Sequence, residues 1–206
     1  MFKKISKVLL KIFVLVVIIG VSAIGYRNYQ ILKRVHQYDA DVTQAVKKYQ
    51  IQEYEKVAQA IIFTESKGRG SDIMQSSESS YGQQNKIATS EESIDTGVEF
   101  LAKAIKKAKE KNCDIWTAVQ AYNFGLDYIN YVAKNGGKNT LKLAENYSKN
   151  ILSPILGNEE KTKYRYWGFQ SIFYNGGFLY HNGGNMFYAD VVKMNEKKIN
   201  WTNFLF

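Results

Sequence analysis

The chain has 206 residues, enough for one domain with a sizeable core plus an appendage, and a formal net charge of +9. Residues 1–38 carry seven of its 28 lysines and arginines and no acid, which leaves 21 basic residues against 19 acids in the remainder. So uneven a distribution argues against a nucleic-acid partner and for membrane topology. The single cysteine, Cys113, rules out an intrachain disulfide, and His36 and His181 are far apart in the chain, so neither a metal nor a cofactor is expected.

Residues 8–26 are apolar apart from Lys11 and Ser22. At about 1.5 Å per residue such a helix is roughly 28 Å long, close to the hydrocarbon thickness of a bilayer. Lys3, Lys4 and Lys7 before it form a basic cytoplasmic end (1–7), so the bulk of the chain is expected outside. Arg27, Lys33 and Arg34 on the far side run against that asymmetry. A cleaved signal peptide competes with the anchor, because Val21-Ser22-Ala23 has cleavage-site spacing; either reading exports the domain. Residues 27–40 read as a stalk, and 41–206 as the exported domain. Asp41 is placed to cap a helix whose apolar face is Val42, Ala45, Val46 and Tyr49.

A helix is predicted over 53–66, with Tyr54, Val57, Ala58, Ile61 and Ile62 along one face. Glu65 lies one turn past Ile61 and Ile62. A carboxyl at the inner end of an apolar stripe is desolvated, which favours its protonated form and suits it to acid catalysis; a solvated helix-end Glu would occupy the same position. Residues 67–90 form a long polar connection in which Gln75, Ser77, Glu78, Ser79 and Gln83 suit a hydroxyl- and amide-rich ligand. Thr89 and Glu92 form a capping box for a helix that buries Ile94, Val98, Leu101, Ile105 and Ala108 and turns Lys103, Lys106, Lys107 and Lys109 to water. Asp114 caps the next helix and Gly125 ends it; short helices follow over 126–133 and 140–148. Residues 164–188 are rich in Tyr, Phe and Trp, residue types that serve either in core packing or in stacking on sugar rings. A last helix is predicted over 185–194, with the tail 195–206 docking on the core or the membrane surface. The fold class is mainly α, with a small β-element in 67–90 or 164–182.

Four motifs in order carry a resemblance: Ala60-Ile61-Ile62-Phe63-Thr64-Glu65-Ser66, Met74-Gln75-Ser76-Ser77-Glu78-Ser79, Ser93-Ile94-Asp95-Thr96-Gly97-Val98 and Gln120-Ala121-Tyr122-Asn123-Phe124-Gly125. Together with Gly184-Asn185, Tyr188 and Val191 they resemble the CwlT-like lysozyme domains of the lysozyme and soluble lytic transglycosylase superfamily, over residues 53–195. The resemblance implies a lysozyme-like helical fold with a catalytic cleft. It also implies cleavage of the β-1,4 bond between N-acetylmuramic acid and N-acetylglucosamine in peptidoglycan glycan strands. Glu65 then matches the acid/base, Met74 and Gln75 the cleft wall beside it, and Tyr122, Asn123 and Gly125 the motif that sets polar groups near the scissile sugar. Glu65 to Gln75 is 10 residues, shorter than in typical soluble lytic transglycosylases. Some CwlT-like proteins carry a peptidase domain after the lysozyme domain; no such activity is expected here.

Glycoside cleavage needs a proton donor and either a second carboxylate or an internal nucleophile. Glu65 is the donor; Asp72 and Glu78 are the candidates for a second carboxylate, and Met74, Gln75, Ser77, Ser79, Tyr122 and Asn123 for substrate binding. With one carboxylate alone, the muramic acid 6-hydroxyl would be the acceptor and the product a 1,6-anhydro sugar. A membrane-tethered domain that binds wall glycan without cutting it is the alternative function.

Overall fold

The computed structural model describes residues 2–77 and 87–206, with side chains from residue 9 onward. Helix α1 (Phe2–His36) runs 35 residues without a break. Its stretch from Leu9 to Arg27 is exposed on all sides, and α1 is the one helix among the described residues long and apolar enough to cross a membrane.

The expected stalk is absent as a separate element, because residues 27–36 continue α1. Ile31, Leu32 and Val35 are buried in the core, forming an apolar stripe at helical spacing that only a helix can present to one neighbour. Helix α2 (Asp39–Lys48) begins two residues before the expected cap, after Tyr38 and without a side-chain cap bond. Asp39 is spent elsewhere: its carboxylate accepts from Gln59 and pairs with His36 Nδ1 at 2.7 Å, tying α1 and α2 to the next helix.

That next helix, α3 (Glu55–Glu65), is the centre of the domain. Seven consecutive residues, Val57 to Phe63, are buried, so its neighbours enclose it on all sides. Ile61 and Ile62 are each worth about 1.5–3 kcal/mol on removal from water. α4 (Ser90–Glu110) is amphipathic as predicted. Thr89 accepts from Glu92 N at its start, and Glu92 Oε2 reaches back to Ala88 N. α5 (Ile115–Phe124) is capped by Asp114 and stopped by Gly125 at φ 85°. α6 (Asp127–Ala133) and α7 (Leu141–Tyr147) follow, the latter running on through a π turn, Ser148–Leu152, and a helical turn, Ser153–Ile155.

The β-element falls in the second of the two expected places. β1 (Lys163–Arg165) pairs antiparallel with β2 (Phe178–Tyr180), Tyr164 opposite Leu179, and α8 (Phe169–Asn175) lies between them. The last helix, α9 (Tyr188–Thr202), starts three residues later than predicted and ends eight later. It lies antiparallel along α3: Tyr188 meets Glu65 near one end, and Lys56 meets Asn203 near the other. The tail then folds back so that Phe206 stacks on Tyr29 and His36 of α1, at ring separations of 5.7 and 4.5 Å.

Close packing between α4, α5 and the 72–77 segment depends on Gly97. A Cβ there would lie 2.8 Å from Met74 Cβ, Met74 Sδ and Tyr122 Oη. Gly97→Ala is therefore expected to destabilise the fold by about 1–2 kcal/mol net, overpacking outweighing the gain in helix propensity. Urea unfolding should show a lower midpoint with an unchanged slope.

Candidate active site

The site begins where α3 stops. Ser66 caps that end: its Oγ donates to Ile73 O at 2.8 Å and accepts from Gly68 N at 3.1 Å, folding the following turn back under the helix. Arg34 of α1 holds the same turn by donating to Lys67 O at 3.0 Å. Glu65 is left part-buried at the rim of a cleft of about 350 Å³. Tyr188, buried on α9, donates to Glu65 Oε1 at 2.6 Å. The second carboxyl oxygen has no protein partner among the described residues.

Burial is the main influence on Glu65 and drives its pKa up to about 7; the Tyr188 hydrogen bond pulls down, and the nearby charge of Asp72 pushes up. The carboxyl is thus about half protonated at neutral pH, as the stripe beneath it suggested. Tyr188 and Tyr122 are both held far above the ordinary phenol range by burial and then by the Glu65 charge, so both hydroxyls remain donors.

Asp72 occupies a different environment. Its carboxylate accepts from Ser77 Oγ (2.6 Å), Ser93 Oγ (2.7 Å), Ser76 N (2.9 Å) and Ser77 N (3.2 Å). Burial would raise its pKa, but the Ser77 and Ser93 hydroxyls and the backbone amides of Ser76 and Ser77 outweigh it and hold the group below the usual carboxylate range. An acceptor this fully engaged is an ionised anchor for the loop.

The expected binding residues separate into two groups. Asn123 lines the cleft with Glu65. Met74, Gln75, Ser77 and Tyr122 stand outside the lining of this cleft. Met74 is fully buried, its N–H bound to Ser93 Oγ and its carbonyl to Tyr122 Oη at 3.0 Å. Gln75 is exposed and donates to the carbonyl of Asp72, and the Ser77 hydroxyl is committed to the Asp72 carboxylate. Glu78 and Ser79 lie outside the described residues.

Three contributors were not identified from sequence as site residues. In the sequence Tyr188 stands out only as part of the last helix; a tyrosine at a buried helix start is a weak signal. Ser93 bridges Asp72 and Met74 from a fully buried position on α4, and a serine in the apolar stripe of that helix was the available clue. Gln120 clamps the start of α9, donating to Asn185 O at 2.9 Å and accepting from Ala189 N at 3.0 Å. Asn123 acts beside it, accepting from Asn185 N at 2.7 Å across Gly184, where φ is 61° and a Cβ would meet Asn123 Oδ1 at 2.9 Å.

With this geometry in place, comparison with known proteins identifies the family. Residues 32–196 match the family described as lysozyme-like, and the chain belongs to it, on its CwlT-like side. It is 42% identical over 195 residues to pneumococcal vaccine antigen A of Streptococcus pneumoniae, covering 95% of this chain and 93% of that protein. It is 37% identical over 124 residues to the bifunctional muramidase/DL-endopeptidase CwlT of Bacillus subtilis, covering 60% of this chain and 37% of that one. Among solved structures, an NLP/P60-family lipoprotein of Staphylococcus aureus superimposes with a TM-score of 0.72 at 34% identity, over 79% of this chain and 52% of that chain. The family and the relation to CwlT support a glycosidase-type enzyme directed at peptidoglycan.

Two outcomes test the site. Asp72→Asn would set an amide N–H₂ against donors that now meet a carboxylate, and is expected to cost about 2–3 kcal/mol at pH 7. The folded-state pKa of Asp72 lies below its unfolded value, so its stabilisation is present above about pH 4 and lost as pH falls through the folded value; the gap between wild type and variant in urea unfolding should narrow as pH is lowered below about 4. Tyr188→Phe removes a bond that favours the ionised form, so the Glu65 titration followed by carbon NMR should move up by about one pH unit.

Proposed function

We propose that this protein cleaves the β-1,4 bond between N-acetylmuramic acid and N-acetylglucosamine, with Glu65 as general acid and then general base, on the outer face of a membrane spanned by residues 8–26. The observation that carries the reading is the state of Glu65: a carboxyl whose pKa burial raises to about 7, oriented through one oxygen by Tyr188, with its other oxygen unpartnered among the described residues. A glycosidic oxygen leaves only if it receives a proton as the bond breaks, and a surface carboxylate would already have lost that proton. A domain that merely binds glycan has no use for a desolvated carboxyl, which costs stability, and this favours cleavage over the binding alternative.

Among the described residues that line the cleft, Glu65 is the one carboxyl group. The neutral amides of Asn123 and Asn185 and the Tyr166 ring on its walls suit N-acetyl and hydroxyl groups. Asp72 serves as the loop anchor, with its charge helping to keep the Glu65 proton in place.

Glu65→Gln is expected to lower glycan cleavage by at least 10³-fold, measured as clearing of peptidoglycan in a gel. The variant should fold. Because the Glu65 pKa is raised on folding, its contribution is present below about pH 4.5 and lost as pH rises through about 7, so the neutral variant should be more stable than wild type at pH 8, by about 1–3 kcal/mol, and similar to it at pH 4. Wild-type activity should fall as pH rises above about 7. Undiminished clearing by the variant would remove Glu65 from its role. Mass spectrometry of the products identifies the acceptor: 1,6-anhydro ends assign the muramic acid hydroxyl, and reducing ends assign water, with Glu78 then the carboxylate to substitute next.

A further inference from the structure

The cleft is asymmetric in charge. Among the described residues that line it, every charged side chain besides Glu65 is cationic: Arg27 on α1, Lys67 just past α3, and Lys198 on α9. None of the three has an ion-pair partner among the described residues. Lys198 lies over the Phe63 ring with one hydrogen bond, to Asn195 Oδ1. Burial, and after it the charge of Arg27, lowers its pKa, so the half-buried Lys198 lies within reach of the exposed Arg27. Three like charges on a concave wall repel one another, and the arrangement becomes favourable only when an anion enters.

The position of the wall indicates which anion. α1 is one continuous helix, so the segment that spans the bilayer and the segment that walls the cleft are rigidly joined. Arg27 follows the apolar stretch directly, at the level of lipid headgroups, and Ile31 in the same wall is only about 6 Å further along the axis. The C-terminal residues suggest the same height. Phe206 stacks on Tyr29, while Trp201 and Phe204 are almost fully exposed, and aromatic side chains of this kind settle at the membrane–water boundary. Peptide carboxylates hang from a wall glycan at every height and do not call for a cation cluster at the bilayer surface. Phosphate groups are concentrated there, and an arginine flanked by lysines matches their geometry.

We propose that Arg27, Lys67 and Lys198 form an anion subsite that takes the diphosphate joining a glycan strand to its membrane lipid. The substrate is then a lipid-linked strand cut close to the bilayer. This rests on the glycosidase reading and on the anchor.

The test uses the full chain in phosphatidylcholine nanodiscs. Two substrates are compared: a polyprenyl-diphosphate-linked glycan oligomer and the same oligomer freed of diphosphate by mild acid. The linked form should be cleaved with at least tenfold higher kcat/KM, and that ratio should fall towards one in Arg27→Gln and in Arg27→Gln/Lys198→Gln. Arg27 is exposed, so the single variant is expected to keep its thermal unfolding midpoint. A wild-type ratio of one, or a ratio retained in the variants, overturns the subsite. Binding of the two oligomers to the Glu65→Gln chain is measured in parallel, so a chain that cleaves neither but prefers the linked oligomer sinks the glycosidase reading and leaves the subsite standing. Replacing part of the phosphatidylcholine with phosphatidylglycerol separates the sources of phosphate. If the preference vanishes only in those discs, headgroups occupy the cluster and the substrate assignment falls.

Discussion

A helix enclosed on every side must end somewhere, and α3 ends in a carboxyl. The seven buried residues from Val57 to Phe63 fix the position of Glu65 to the precision of the core itself, because a helix packed all round can neither slide nor rotate without opening cavities. The same enclosure strips water from the carboxyl and raises its pKa. Position and proton affinity therefore have one cause. A carboxyl carried on a loop needs other means to secure both.

The elements around α3 keep that end of the helix open while holding its neighbours still. α9 lies against it and supplies Tyr188; Gln120 and Asn123 of α5 fasten the first turn of α9. On the other side, the Asp72 carboxylate gathers Ser76, Ser77 and Ser93 into a polar knot beside Met74. The two carboxylates, seven residues apart, are driven to opposite states by their surroundings. Glu65 has one donor and little water, whereas Asp72 has four strong donors and remains charged. Environments of this kind push the proton affinities of two acids apart.

The fold was largely legible in the sequence, because helix periodicity and capping are local. The Thr89–Glu92 box, the Asp114 cap and the Gly125 stop all fall where they were expected. The errors share a physical origin. Asp41 looked like a cap because it precedes an apolar stripe, yet tertiary demand on Asp39 moved the helix start. Residues 27–40 read as a stalk, whereas over 27–36 the helix continues, because Ile31, Leu32 and Val35 need cover and find it in the core. In the site, Glu65 was legible from the stripe beneath it. Met74, Ser77 and Tyr122 were recognisable as belonging near it, while their work as braces depends on hydrogen bonds that no spacing encodes.

By itself, then, the sequence determined a long apolar N-terminal helix, a mainly helical domain after it, and a carboxyl at the end of its most apolar helix, since each of these follows from the order of side chains along a few turns. Only the tertiary structure decided that Tyr188, 123 residues away, hydrogen-bonds that carboxyl, that Asp72 is spent on three serines, and that Arg27 of α1 walls the same cleft as Glu65. Those facts depend on which surfaces meet when helices distant in the chain pack together, and local periodicity carries no record of that.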